Sequence, residues 1–392
     1  MLDPLILGEW WKSFLEGLGL SSGWIILINA VVVTVILLGF GLTSVLFLIW
    51  LERKLAARVQ DRLGPNRLGP YGLIQTVADA LKLMTKEDIT PDNAERITYN
   101  LAPGLSVFAV LMLLLVIPFG PGLIGVDLNI GVLFIVAMGS IGIMAALMAG
   151  WSSNNKYALL GAFRAVAQLL SYEIPMVLAM AAPVILAGTM RMNGLAEAQG
   201  GGRWFGLVMP AMFIIYILAA LAENERTPFD FLEADSEIVA GYHIEYSGLK
   251  FAWFFLGFFL NTLLLASIAT TLFLGGWQGP FVKQVPILGP IYYFIKTTVI
   301  IAFFMWERAT FPRLRIDQMM AFAWKVLVPM GLVLVLAAAA VAKLPVGTAL
   351  QSVILFVVNV VVLLVALGAI GRHLRKEAER YKVEVRPMPT MS

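Results

Sequence analysis

The sequence predicts an all-α, polytopic membrane helix bundle with about nine transmembrane helices. First, 60% of its 392 residues are hydrophobic and 14% are charged, whereas about 25% of a soluble domain is charged. Second, the apolar runs are continuous rather than alternating, which favours helices over a closed barrel. Third, these runs reach the roughly 20 residues that a helix needs to cross a bilayer.

The apolar runs divide the chain into an integral membrane domain, residues 1–371, and a basic cytoplasmic tail, residues 372–392. No internal repeat is evident, so the inverted-repeat design of many transporters is not indicated. The predicted spans are 24–50, 100–120, 130–150, 159–188, 205–222, 251–276, 290–307, 320–342 and 347–370.

Lys and Arg in the loops predict the orientation, because cytoplasmic loops carry an excess of them. With loop 51–97 inside, the inside segments hold 21 of the 28 basic residues and the outside segments hold 5. The N-terminus is therefore expected outside and the C-terminus in the cytoplasm. The absence of cysteine removes thiolate metal sites and iron–sulfur ligation by this chain, and no metal site is expected.

Loop 51–97 contains two Leu-Gly-Pro units and then an amphipathic helix over residues 71–84. Gln75, Asp79 and Lys82 share one face of that helix, while most of the remaining surface is apolar. One interpretation is an interfacial helix with its polar side in water. The other is that the polar stripe lines a cavity.

Loop 223–250 carries seven carboxylates opposed only by Arg226 and Lys250. Such crowding raises carboxyl pKa values toward the range in which protons exchange at neutral pH. A solvated acidic docking loop is the alternative. Glu173 and Lys296 lie well inside predicted spans, where a charge is costly and usually faces a polar interior.

Five stretches carry a resemblance to a known family: LERKLAARVQDRLGPNRLGPYGLIQTVADALKLMTKE (51–87), GWSSNNKYALLGAFRAVAQLLSYEIP (150–175), ERTPFDFLEADSEIVAGYHIEYSGLKFAWFF (225–255), TTLFLGGWQGP (270–280) and RATFPRLRIDQMMAFAWK (308–325). Together they resemble NADH dehydrogenase subunit 1, the H subunit of bacterial respiratory complex I. Cytoplasmic loops 51–97, 223–250 and 308–319 would then form the quinone-tunnel and docking surface.

The resemblance implies a core membrane subunit of a proton-pumping NADH:quinone oxidoreductase in the bacterial cytoplasmic membrane, without activity on its own. Ubiquinone or menaquinone would be the substrate. The iron–sulfur clusters and FMN would belong to partner subunits, notably the terminal iron–sulfur subunit and the subunit that binds the quinone head.

Site residues follow by position from the same resemblance. The quinone-tunnel set is Arg53, Asp79, Phe255, Arg313 and Arg315. The proton-path set is Glu52, Glu173, Glu223, Glu225, Glu233, Asp235, Glu237, Glu245 and Lys296.

The sequence departs from the family in three places. Phe258 stands where the family usually has a membrane glutamate, and Glu307 stands where it is usually apolar. Many members have eight spans, so the ninth is an addition.

Two other functions remain open from the sequence alone. The chain would be the homologous subunit of a membrane-bound hydrogenase or formate hydrogenlyase-type complex if its gene neighbours encode a nickel hydrogenase. It would be an independent ion transporter if a purified monomer transports ions in liposomes. A purely structural anchor leaves the acidic loop without a reason.

Overall fold

The chain folds into a bundle of long helices, in agreement with the predicted fold class. A computed structural model describes residues 15, 17, 21–230, 238–345 and 347–384. The helices within this part are α1 (Ser22–Val59), α2 (Gln75–Thr85), α3 (Arg96–Leu114), α4 (Gly131–Ser152), α5 (Lys156–Ala187), α6 (Met192–Ala198), α7 (Phe205–Val208), α8 (Pro210–Glu223), α9 (Gly248–Phe273), α10 (Leu288–Thr310), α11 (Ile316–Phe322), α12 (Val328–Ala342) and α13 (Thr348–Glu384).

Nine predicted spans have helical counterparts in the described residues. Eight helices are long and apolar enough to cross a membrane. The ninth is broken, because segments Gly200–Val208 and Pro210–Glu223 meet at an angle of 69°. The sequence did not predict this break, although Pro210 lacks the N–H that would continue the first segment. A turn of π-helix, Ala323–Leu327, joins α11 to α12 within one span.

The largest boundary difference lies at the end of α1. Hydropathy ends the first span at residue 50, but α1 continues to Val59 and carries Glu52 and Arg53 on its last turns. These two residues therefore project from a rigid helix rather than from a loop. The predicted amphipathic helix is present as α2, preceded by a short 3₁₀ turn at Pro70–Gly72.

The alternating direction of the spans defines two ends of the bundle. The loop end bears segments 60–95, 224–230, 238–247 and 311–315, and there the Glu95 N–H donates to the Ser152 carbonyl at 3.0 Å. The far end bears the connections 115–130, 188–199 and 274–287, and there Arg191 forms an ion pair with Asp127. The loop end holds most of the charged residues singled out from the sequence.

Small residues bring a loop-end segment against the bundle. A Cβ atom on Gly161 of α5 would lie 2.7 Å from the Gly241 backbone, so this contact requires glycine. Gly241 itself has a φ of +69°, a conformation that side chains disfavour. Because both positions are glycine, the turn that carries Tyr242 and His243 sits directly on α5.

Candidate functional site

A large, half-open cavity lies at the loop end between α1 and α10. Its volume is about 1040 Å³, which is the size of a small-molecule site. Charged and polar side chains line it, with the turn that follows α1 as one wall. The main charged residues around it are Glu52, Arg53, Arg62, Arg67 and Arg308.

Two smaller cavities continue from the large one toward the membrane. The middle cavity is about 100 Å³ and shares Arg308 with the large cavity. The inner cavity is about 90 Å³ and shares Glu225, Tyr242 and Phe258 with the middle one. The three cavities therefore form a series in which neighbouring members share a wall.

Arg226 lines the middle cavity. Its side chain is 0% exposed, and its Nη1 donates to Glu52 Oε2 at 2.5 Å. The second oxygen of Glu52 accepts from Arg308. Two phenylalanine rings face the Arg226 guanidinium, with centroids 4.8 Å away for Phe258 and 5.2 Å away for Phe259. Arg226 Nη2 also donates to Thr262 Oγ1 at 3.4 Å. The contacts of this buried cation thus include a carboxylate, a hydroxyl and two π faces.

Asp79 fastens the amphipathic helix α2 to α1. Its carboxylate accepts from Arg53 Nη1 at 2.5 Å and lies 3.7 Å from Lys82 Nζ. Partial burial alone would raise the pKa of Asp79, but the hydrogen bond and charge of Arg53, with Gln75 and Lys82, outweigh burial and lower the pKa from its usual value. Asp79 therefore stays ionised and holds Arg53 beside the large cavity.

The inner cavity contains two of the predicted proton-path carboxylates, Glu223 and Glu225. Glu223 ends α8, and no described residue hydrogen-bonds its buried Oε2 atom. Glu173, on α5, acts electrostatically on Glu223 and accepts from Ser140 Oγ at 2.9 Å. Glu225, which lines two cavities, has a φ of +52°. Two carboxylates thus line one small cavity, and one oxygen of Glu223 has no hydrogen-bond partner among the described residues.

The wall of the middle cavity combines aromatic rings with ionisable groups. Phe255, predicted for the quinone tunnel, lies there with Asp230 and His243. Arg313 Nη2 lies 3.6 Å from Asp230 Oδ2, so it contacts the same wall from outside. Burial lowers the pKa of His243 to about 4, and its imidazole is therefore neutral at pH 7.

Six of the described site residues do not line any of these cavities: Asp79, Glu173, Arg313, Glu245, Arg315 and Lys296. The contacts of the first three are given above. Glu245 accepts from Asn155 Nδ2 at 2.6 Å, beside the start of α5. The Arg315 N–H donates to Gln318 Oε1 at 3.3 Å, where α11 begins. Lys296 lies toward the far end, in contact with carbonyl groups. Glu233, Asp235 and Glu237 lie outside the described residues.

Sequence reasoning did not identify Arg226, Arg308 and Asp230 as parts of the site. In the sequence Arg226 is only a counter-charge in an acidic loop, because composition cannot show that it is buried. The sequence likewise does not show that Glu307 is buried. In the structure it is 7% exposed, and no described residue hydrogen-bonds its Oε2 atom. A charge beside an apolar span was the only signal available for these residues.

Within the described part of the chain, no three His, Asp or Glu side chains cluster as a metal site would require. The fold and the cavities thus define a class: a multi-pass helical membrane protein with a series of charged cavities leading inward from one end.

Comparison with known proteins gives the family. Residues 31–339 match the family model for NADH dehydrogenase. The chain is 51% identical, over 314 residues, to the H subunit of NADH-quinone oxidoreductase from Dehalococcoides mccartyi, covering 80% of this chain and 86% of that protein. It is 50% identical to the corresponding protein of Carboxydothermus hydrogenoformans over 75% of this chain and 84% of that protein. It is 41% identical to the corresponding protein of Frankia alni over 95% of this chain and 86% of that protein.

The chain belongs to the NADH dehydrogenase family, among the membrane proteins known as the H subunits of NADH-quinone oxidoreductase. This confirms the family identified from the five sequence stretches.

Proposed function

We propose that this chain forms part of a quinone tunnel in an NADH–quinone oxidoreductase and carries the first proton-transfer groups that lead from that tunnel into the membrane. The main support is the series of three cavities, which runs from a large charged chamber to carboxylates inside the bundle.

The quinone part of the proposal combines an apolar groove with the large cavity, which is the charged chamber named above. The groove lies between α1 and α10, and its apolar lining includes Leu55, Val59, Phe303 and Trp306. An isoprenoid tail can lie there, because lipid-facing apolar walls suit it. The two quinone carbonyls accept hydrogen bonds, and Arg53, held by Asp79, supplies donors in the chamber.

The proton part of the proposal uses the carboxylates of the inner cavity. Reduction of a quinone to a quinol consumes two electrons and two protons, so the chamber needs a proton supply. Glu225 borders the middle and inner cavities and can pass a proton between them. Glu223 and Glu173 extend the route into the membrane.

Glu233, Asp235 and Glu237 complete the proposed acidic path as predictions from the sequence. Glu245 and Lys296 also stay predictions for this path, as do Arg313 and Arg315 for the tunnel. Glu52 differs from the other carboxylates of the predicted path, because Arg226 and Arg308 donate hydrogen bonds to its two oxygens. That geometry suits an anchor for positive charge beside the chamber.

We further infer that the chain works among other subunits of the complex and not alone. Without cysteine it offers no thiolate for an iron–sulfur cluster, so the clusters and FMN are assigned to partner subunits. The bias of Lys and Arg supports an orientation with the loop end in the cytoplasm and the N-terminus outside, and we propose a bacterial cytoplasmic membrane as the location.

The test is an isosteric neutralisation of Glu223 in the assembled complex. Because Glu223 cannot exchange a proton after Glu223→Gln, we expect NADH–quinone activity and coupled proton translocation to fall at least about tenfold. The matched control is Glu197→Gln, an exposed carboxylate near the far end. NADH oxidation by an artificial acceptor in the same membranes checks assembly.

Full, coupled activity in assembled Glu223→Gln complexes would rule out the proposed proton role. Purification of the intact complex separates the rival functions. Flavin- and NADH-binding subunits support the proposal, whereas a nickel hydrogenase partner or a stable ion-transporting monomer contradicts it.

A further inference from the structure

The broken span leaves backbone donors buried inside the bundle. Met209, at the break, has φ −129° and ψ 64°, and the next residue is Pro210. The first N–H groups of α8 lack acceptors within their own helix, as at any helix start. Met209, Ala211 and Met212 are all fully buried, so neither water nor a lipid headgroup can satisfy these donors.

The last helix, α13, touches the rest of the bundle along a narrow face. Over residues 348–372, the only buried side chains are Leu355 and Asn359. Asn359 is 1% exposed although it lies in the middle of an apolar span. A polar side chain is costly at that depth unless it is hydrogen-bonded. A packing role alone would be met at lower cost by leucine.

Asn359 bonds the backbone at the break. Its Oδ1 accepts from the Met212 N–H at 3.4 Å, and its Nδ2 donates to the Leu355 carbonyl at 2.9 Å. The second bond orients the amide so that its oxygen faces Met212.

The same face of α13 also contacts the first segment of the broken span, Gly200–Val208. Arg203 Nε donates to Ser352 Oγ at 2.8 Å. Ser352, Leu355 and Asn359 are spaced i, i+3 and i+7, which places them on one side of the helix. The polar contacts of α13 with the bundle thus reach both sides of the break.

We propose that α13 is a splint for the broken span, and that Asn359 is a positioning residue that supplies the acceptor missing at the start of α8. The opposite end of α8 carries Glu223, so the splint fixes the direction from which that carboxylate enters the inner cavity. This functional consequence rests on the proposed proton role of Glu223. The structural part of the proposal does not.

The test compares Asn359→Leu with Val361→Ala in the purified complex. Leucine keeps the volume and removes the acceptor, whereas Val361 is 52% exposed on the outer side of α13. We expect amide hydrogen exchange over residues 205–215 to accelerate roughly threefold to tenfold in Asn359→Leu, as loss of one buried hydrogen bond allows. We expect no change in Val361→Ala.

A second expected result is a lower ratio of protons translocated per NADH in Asn359→Leu, with NADH oxidation by an artificial acceptor unchanged. Wild-type exchange over residues 205–215 in Asn359→Leu would overturn the splint. Faster exchange with an unchanged proton ratio would uphold the splint and count against the role of Glu223.

If the complex with Asn359→Leu does not assemble, Asn359→Asp is used to test the proposal instead. A protonated aspartic acid keeps a carbonyl acceptor at the same place. Assembly with native exchange over residues 205–215 supports the proposal, and failure to assemble overturns the claim that the acceptor oxygen is what matters.

Discussion

Two basic side chains, Arg226 near the loop end and Lys296 toward the far end, are held in different ways. Arg226 is fully buried and pairs with the Glu52 carboxylate between two phenylalanine rings. Lys296 is partly buried, and its ammonium donates to the carbonyls of residues 274, 276 and 278 at 2.7, 3.0 and 2.7 Å. The Trp204 ring centroid lies 4.7 Å from its Nζ atom.

The difference lies in what the partner can do. A carboxylate can change its charge, whereas a backbone carbonyl cannot. Three carbonyls also use all three protons of the ammonium group. We therefore infer that Arg226 sets the electrostatics of the cavities, while Lys296 closes the 274–278 loop onto α10. The predicted place of Lys296 on the proton path stays a prediction, and these contacts favour the loop-closing role.

The largest effects are expected when each cation is removed in a separate variant. Arg226→Gln removes one of the two arginines that hydrogen-bond Glu52 and leaves Arg308 as its other partner among the described residues. We expect Arg226→Gln to lower NADH–quinone activity per assembled complex at least about tenfold. Lys296→Gln should lower the Tm of the purified complex while activity per assembled complex stays within about twofold.

Activity is normalised to the iron–sulfur content of each preparation, which separates poor assembly from poor turnover. Equal losses of turnover in the two variants would contradict the comparison. So would loss of proton translocation in Lys296→Gln with normal assembly, because that result would restore Lys296 to the proton path.

A smaller effect is expected from the aromatic partners. Phe258→Leu removes one π face from Arg226, and Trp204→Leu removes the π face from Lys296. Each cation–π contact contributes about 1–2 kcal/mol when desolvated. We expect Phe258→Leu to reduce the number of protons translocated per NADH, and Trp204→Leu to reduce only the Tm. An unchanged proton ratio in Phe258→Leu would show that the ring does not influence proton transfer.

Much of the fold was predictable because a bilayer imposes a minimum length on each apolar run. The nine spans follow from that constraint. The predicted end of the first span was wrong because a helix can continue through charged residues. Glu52 and Arg53 ended the first span by hydropathy, yet α1 continues through them because the helix leaves the apolar region without unwinding. The break at Met209 was missed since hydropathy does not respond to one proline.

The site was predictable only in part, because burial and pairing depend on the whole fold. Spacing alone places Gln75 and Asp79 on one helix face. In the structure Gln75 lines the large cavity, and Asp79 forms an ion pair with Arg53, which lines the same cavity. Arg226 could not be ranked above other loop charges, because Glu52 is 174 positions away in sequence. Family resemblance named Glu52 but not Arg226, the buried arginine that pairs with it.

The smallest expected effect concerns His243, which lines the middle cavity with Glu225, Asp230, Arg226 and Arg308. Its pKa is lowered from 6.5 to about 4 by burial. Between these pH values the unfolded chain binds one more proton than the folded chain, so stability falls as pH decreases from 6.5 toward 4. The maximum slope is about 1.4 kcal/mol per pH unit.

Replacement of His243 by asparagine removes this titration while keeping a polar side chain. We expect the Tm of the complex to depend less on pH between 6.5 and 4.5 in His243→Asn than in the wild type, with no difference in slope above pH 7. Phe251→Leu, which alters a ring packed against His243 at 5.6 Å, serves as the packing control. Parallel profiles for wild type and His243→Asn would mean that the imidazole binds protons equally in the folded and unfolded chains, as it would if a neighbouring carboxylate such as Asp230 compensated its charge.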